Sequence, residues 1–112
     1  LHGVLKTFPA ITGTDGSGIV EAVGVDCKRI KVGDEVMYGG FQKVDGRCMA
    51  EYVELPEDDV EIKPSNLTFQ EAACLPVIGI TVIQAFMYTA KLKKGDRVLI
   101  IGGSGSVGSC AT

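Results

Sequence analysis

Apolar and polar positions alternate at short range through the first half of the chain and take up helical spacing only after residue 68. Gly18-Ile19-Val20-Glu21-Ala22-Val23-Gly24-Val25 is a β-branched run closed by glycine and predicts a strand. Lys31-Val32-Gly33-Asp34 predicts a turn that feeds a second strand, Glu35-Val36-Met37-Tyr38. Gly39 to Gly46 reads as a polar loop. Cys48-Met49-Ala50-Glu51-Tyr52-Val53-Glu54-Leu55 alternates imperfectly but carries β-formers, and Val60-Glu61-Ile62-Lys63 is a short strand that Pro64 stops. Several short strands at this spacing predict a small barrel or sandwich.

The period changes at Thr68. Thr68-Phe69-Gln70-Glu71 is a capping box, in which the hydroxyl serves the third helical N–H and the glutamate reaches back, so a helix is expected from Phe69 to about Leu75. Pro76 suits the first turn of a second helix that carries Ile78, Thr81, Val82, Ala85, Phe86 and Tyr88. Lys94-Gly95-Asp96 then turns the chain into an apolar strand, Arg97 to Ile101. That strand runs into Gly102-Gly103-Ser104-Gly105-Ser106-Val107-Gly108, with glycines spaced Gly103-x-Gly105-x-x-Gly108. Dinucleotide binding needs this order: one glycine for a tight turn, one for close approach of backbone to a pyrophosphate, one for close packing of the next helix. The N–H groups and positive dipole end of that helix would face the phosphates. A glycine-rich turn without a ligand is the plain alternative, and the strand in front of the motif favours phosphate. The returning strand and the acidic residue about 20 positions on do not follow within the chain. It is therefore expected to be a fragment truncated at both ends, with a β-rich domain over residues 1–76 and the opening of a nucleotide-binding domain over 77–112.

Composition narrows the function classes. A 46% hydrophobic content over 112 residues suffices for a packed core. Net charge is −3, and basic residues cluster only at Lys28-Arg29-Ile30-Lys31 and Lys91-Leu92-Lys93-Lys94, each leading into Gly-Asp. These read as solvated turns, which argues against nucleic acid or an acidic membrane as partner. The apolar region Leu75 to Tyr88 is broken by Pro76, Gly79, Thr81 and Gln84, so no membrane insertion is expected. Cys27, Cys48, Cys74 and Cys110 form no Cys-x-x-Cys pair, which argues against structural zinc. Cys74 and Cys110 sit among apolar or small residues and are expected as buried thiols in a reducing, cytoplasmic compartment. His2, the single histidine, has no visible partner and is expected at the surface or a strand end.

Pro9-Ala10-Ile11-Thr12-Gly13-Thr14-Asp15-Gly16-Ser17-Gly18-Ile19-Val20, Lys31-Val32-Gly33-Asp34-Glu35-Val36, Ala50-Glu51-Tyr52, Lys63-Pro64-Ser65-Asn66-Leu67-Thr68 with Glu71-Ala72-Ala73, and Gly79-Ile80-Thr81 together resemble successive signatures of the medium-chain dehydrogenase/reductases, in order and spacing across nearly the whole chain. The resemblance implies a GroES-like catalytic barrel over 1–76, followed over 77–112 by the first β-strand, glycine loop and helix start of a Rossmann α/β domain, with hydride transfer in the cleft between the two. Zinc alcohol dehydrogenases of this family carry Gly-His-Glu where this chain has Gly13-Thr14-Asp15. They also insert a four-cysteine lobe, for which Gly39 to Arg47 is too short and has no cysteine. The resemblance is therefore to the zinc-free, quinone oxidoreductase-like branch, with no metal and with NADPH as cofactor, NADH being the alternative.

By the same resemblance Gly102, Gly103, Ser104, Gly105, Ser106, Val107 and Gly108 hold the cofactor's phosphates and Thr81 lies near the nicotinamide, an ordinary polar helix position being the other reading of Thr81. Arg47 and Met49 depart from the glycine and aromatic that relatives often carry there, beside the expected substrate site. The expected activity moves a hydride from NADPH to a small quinone or to the β-carbon of an α,β-unsaturated carbonyl. A hydroxyl donor or water must then steady the developing enolate. Tyr38 and Tyr52 are the available phenols, with Tyr52 expected inside the barrel, and no catalytic residue is assigned. A homodimer is the candidate assembly of the whole protein. Two alternatives stay open: a zinc-type alcohol dehydrogenase relative, and a non-catalytic member that keeps the fold as an interaction module.

Overall fold

The computed structural model describes residues 9–39 and 48–112, in a chain of two compact units, Leu1–Pro76 and Val77–Thr112. In the first unit the described residues form one antiparallel sheet of three strands, β1 (Asp15–Ile19), β2 (Glu35–Gly39) and β3 (Val60–Ile62), in that order across the sheet. β1 pairs with β2 from Asp15↔Gly39 to Ile19↔Glu35, and β2 with β3 from Val36↔Ile62 to Tyr38↔Val60. Alternation along a strand puts Val36, Tyr38 and Val60 on one face. That face carries the core, in which Ile30, Val36 and Val60 are buried and Val20, Tyr38 and Leu55 pack around them.

Local hydrogen bonds explain why these segments hold. At Lys31–Asp34 the aspartate carboxylate accepts from Lys31 N–H (3.0 Å), Asp34 N–H donates to Lys31 O (3.1 Å), and Gly33 supplies a φ of +90°. Lys93–Asp96 repeats the device at 2.8 and 3.1 Å, with Gly95 at +98°. Only glycine adopts such a φ without strain. A short 3₁₀ turn, Glu57–Asp59, clamps the loop before β2: the Glu57 carboxylate accepts from the N–H groups of Lys28 (3.0 Å), Arg29 (2.6 Å) and Ile30 (2.8 Å). Arg29 answers with bonds to the Glu57 and Val60 carbonyls and an ion pair to Glu61, so Ile30 is drawn into the core. The buried ammonium of Lys63 is satisfied by Glu35 at 3.0 Å and by Leu67 O at 2.6 Å, and lies 5.3 Å from the Phe69 ring.

The capping box forms as the sequence requires: Thr68 Oγ1 accepts from Glu71 N–H, and the Glu71 carboxylate accepts from Thr68 N–H, opening α1 (Phe69–Ala73). Buried Ala72 and the bond from Ser17 Oγ to Phe69 O seat α1 on the sheet. α2 (Pro76–Ile83) passes into a π-helical stretch, Gln84–Thr89, which closes through Ala90 N–H to Ala85 O and Leu92 N–H to Phe86 O. The glycine loop leads into α3 (Ser106–Ala111).

Several expectations are corrected. β1 lies three residues early and ends at Ile19, because beyond Val20, which bonds the turn at Gly33 and Asp34, no strand of the described residues lies opposite; Val25 is fully exposed. Residues 48–55 form no strand. Their pairing stops after Cys48 N–H to Gly13 O and Met49 N–H to Thr12 O, so the sheet of the described residues stays open, and Tyr52 is exposed instead of packed in a barrel. Arg97–Ile101 is not a strand either, since a strand exists only through a partner's ladder bonds; Leu99 and Ile101 are 85% and 90% exposed. The expected Rossmann opening is therefore not formed: among the described residues a glycine loop and the short helix α3 stand there without a strand. Cys74 and Cys110, near the ends of short helices, are exposed and not buried. His2, Arg47 and the loop from residue 40 to 47 lie outside the described residues. Among the described residues no helix is long and apolar enough to cross a membrane.

Candidate functional site

The glycine loop turns at Gly102, whose φ of +81° is open to glycine alone, and Gly105 N–H closes the turn on Gly102 O at 2.9 Å. Gly105 then serves as N-cap of α3, its carbonyl accepting from Ser109 N–H at 2.8 Å. A Cβ at Gly108 would press into the Gly102 carbonyl and come 2.8 Å from Gly103 Cα, so only glycine lets the first turn of α3 lie on the loop. Gly103 and Gly105 obey no such constraint. A Cβ at Gly103 would meet nothing nearer than Thr112 Oγ1 at 3.9 Å, and one at Gly105 nothing nearer than Gly102 O at 3.4 Å. Backbone conformation thus accounts for Gly102 and packing for Gly108, and neither accounts for Gly103 or Gly105. The first-turn N–H groups of Ser106, Val107 and Gly108 have no i−4 acceptor within α3 and sit at its positive end.

Behind the loop lies a cavity of about 410 Å³ whose lining includes Val82, Ala85, Phe86, Val98 and Ile100. Its apolar walls suit side-chain packing and not phosphate. Thr81 is exposed on α2, and its hydroxyl donates to the Val77 carbonyl at 2.7 Å, so in this structure its proton is spent inside its own helix.

A second group of polar side chains gathers in the first unit where β1 begins. Thr14 Oγ1 donates to Asp15 Oδ2 at 2.7 Å. Across the sheet from Asp15 a Cβ at Gly39 would fall 2.7 Å from Asp15 Oδ1, so glycine there makes room for the carboxylate. Tyr38 stands opposite Gly16, and the tip of its ring occupies the space a Cβ at residue 16 would need. Burial raises the Tyr38 pKa, with a further push from Cys48; burial likewise raises the Cys48 thiol, helped by the Asp15 carboxylate. Phenol and thiol therefore both keep their protons at neutral pH beside one carboxylate. Met49, 77% exposed, takes a contact of 3.1 Å from Thr12 Oγ1 to its sulfur. Among the described residues no three His, Cys, Asp or Glu side chains group as metal ligands. Sequence reasoning named Tyr38 but missed its glycine seat and its link to Cys48, since both depend on a pairing register that periodicity does not reveal.

Residues 1–65 match the model of the alcohol dehydrogenase GroES-like domain. The chain is 39% identical over 108 residues to the 2-methylene-furan-3-one reductase of Solanum lycopersicum, covering 91% of this chain and 27% of that protein. It is also 39% identical over 110 residues to the zinc-type alcohol dehydrogenase-like protein SACOL2177 of Staphylococcus aureus (strain COL), covering 93% and 33%. The solved structure of the quinone oxidoreductase from Coxiella burnetii superposes with a TM-score of 0.84 at 39% identity, over 94% of this chain and 33% of that one. The chain thus spans between about a quarter and a third of the length of these relatives.

Proposed function

Because this chain belongs to the alcohol dehydrogenase GroES-like domain family of the medium-chain dehydrogenase/reductases, we propose that the whole protein is an NADPH-dependent reductase of quinones or α,β-unsaturated carbonyls. The observation that carries this reading is the division among the loop glycines: the fold itself requires Gly102 and Gly108, while Gly103 and Gly105 expose backbone that a pyrophosphate would use. Gly102, Gly103, Ser104, Gly105, Ser106, Val107 and Gly108 would hold the cofactor's phosphates. Thr81 would serve the nicotinamide only by turning its hydroxyl away from Val77 O. A bound nicotinamide would supply the hydride that reduces the substrate's β-carbon, with water supplying the proton that completes the α-carbon. The chain's own part is to bind, to orient and to meet the charge that grows on the substrate's carbonyl oxygen. The names of the tomato and Coxiella relatives support the substrate class.

Fluorescence titration of the whole protein with NADPH tests the loop. Gly105→Val should fold and lose affinity by at least about tenfold, because its branched Cβ stands where backbone meets pyrophosphate. Gly108→Ala should instead cost about 1 to 3 kcal/mol of stability through overpacking. Unchanged affinity in a folded Gly105→Val protein would return the motif to a plain turn. A zinc-type reading is favoured by the names of several relatives, the Staphylococcus protein among them. Thr14 at the imidazole position speaks against it, and one tightly held zinc per chain in elemental analysis would establish it.

A further inference from the structure

We infer that Met49 is an oxidation site for hydroperoxides, held so that its sulfur takes up oxygen on one face and yields one sulfoxide epimer in excess. Met49 stands largely in solvent, yet its side chain does not hang free. Met49 N–H donates to Thr12 O at 2.8 Å and Cys48 N–H to Gly13 O at 3.4 Å, so the backbone at 48–49 is tied to residues 12–13. Gly13 turns there with a φ of +98°, and a Cβ on it would come 3.2 Å from Met49 Cγ. The methionine stem therefore lies over a position that glycine alone fills without strain. From there the Thr12 hydroxyl donates to the sulfur at 3.1 Å.

A thioether sulfur has two lone pairs, and oxygen added to one or the other gives the two sulfoxide epimers. The Thr12 O–H occupies one of them, so the other meets the oxidant. That pair attacks the terminal oxygen of the hydroperoxide. The S–O bond forms as the O–O bond breaks, the sulfur is oxidised by two electrons, and the proton on the transferred oxygen passes to the leaving oxygen, which departs as water or an alcohol. Neighbouring groups compete poorly. Burial, with the Asp15 carboxylate adding to it, keeps the Cys48 thiol protonated, and only a thiolate is a good nucleophile. Met37 is half-buried in β2. Met87 is nearly as exposed as Met49, but among the described residues no hydroxyl bonds its sulfur, so it should react without facial preference. Oxidation turns an apolar side chain into a polar, chiral one that sulfoxide reductases restore, so the mark at Met49 is reversible.

The test treats the folded whole protein with hydrogen peroxide, digests it, and locates sulfoxide by mass spectrometry before and after incubation with each of the two epimer-specific methionine sulfoxide reductases. Met49 should carry sulfoxide with one epimer in about threefold to tenfold excess, the ratio that one hydrogen bond supports, while Met87 divides evenly. Thr12→Val keeps the branched shape and removes the hydroxyl; Met49 should still oxidise there, now to both epimers alike. Wild-type protein oxidised in urea should also divide evenly at Met49, a comparison that needs no variant to fold. No sulfoxide at Met49 in the folded protein, an even division there, or an excess that persists in Thr12→Val or in urea would overturn the inference. Each of these outcomes leaves the reductase reading in place, since neither NADPH nor a carbonyl substrate enters the experiment.

Discussion

Gly105 and Gly108 lie three positions apart and answer to different demands, since packing against the Gly102 carbonyl requires glycine at 108 and does not require it at 105. A spacing motif names both without saying which the fold itself requires, and only the backbone path separates them. Glu57 is the converse case, a residue to which no motif points and on which a loop depends. Backbone N–H bonds from Ile30, then Arg29 and Lys28, together with the Arg29 charge, hold its carboxyl below the ordinary glutamate range. A depressed folded-state pKa means that stability from this clamp is present above the unfolded value and lost as pH falls through the folded one. Glu71, lowered by the Thr68 N–H and hydroxyl, works in the same sense. Thermal melts of the whole protein should therefore weaken as pH drops below about 4.3. Glu57→Gln should melt lower at neutral pH and show a shallower acid slope; parallel slopes would mean that the clamp carries no such linkage.

Elements that rest on their own residues were legible from the chain alone. The Thr68–Glu71 capping box, the paired Lys-x-Gly-Asp turns and the helix after the glycine loop all follow from bonds within a few positions. Elements that need a distant partner were read too generously: residues 48–55 and Arg97–Ile101 have strand-like composition and no described strand to pair with. The bounds of β1 were set by where β2 begins, which its own glycines and valines do not encode. The π-helical stretch Gln84–Thr89 left no mark on the apolar period, since its residues also fit an α-helix. Thr68→Ala should remove the reciprocal cap of α1 and cost about 1 kcal/mol, read as a lowered denaturation midpoint. Thr68→Ser should restore most of it, and an unchanged midpoint in the alanine variant would show that α1 is held by Ala72 and Ser17 alone.

At the scale of the whole molecule the family was legible because its signatures are spread along the chain, so the loss of any one strand assignment did not disturb it. Substrate choice was not, because it depends on side chains gathered by tertiary structure, as the cluster of Thr14, Asp15, Tyr38 and Cys48 is gathered from three separate stretches of sequence. The central claim is that the whole protein delivers a hydride to carbon conjugated with a carbonyl. Mass spectrometry and NMR of the product from cyclohexenone and NADPH deuterated on its transferable C4 position test this most directly. The account predicts saturated cyclohexanone with deuterium on the β-carbon. Deuterium on the carbonyl carbon of an allylic alcohol, as zinc-type chemistry would give, or no deuterium in any product, would contradict it.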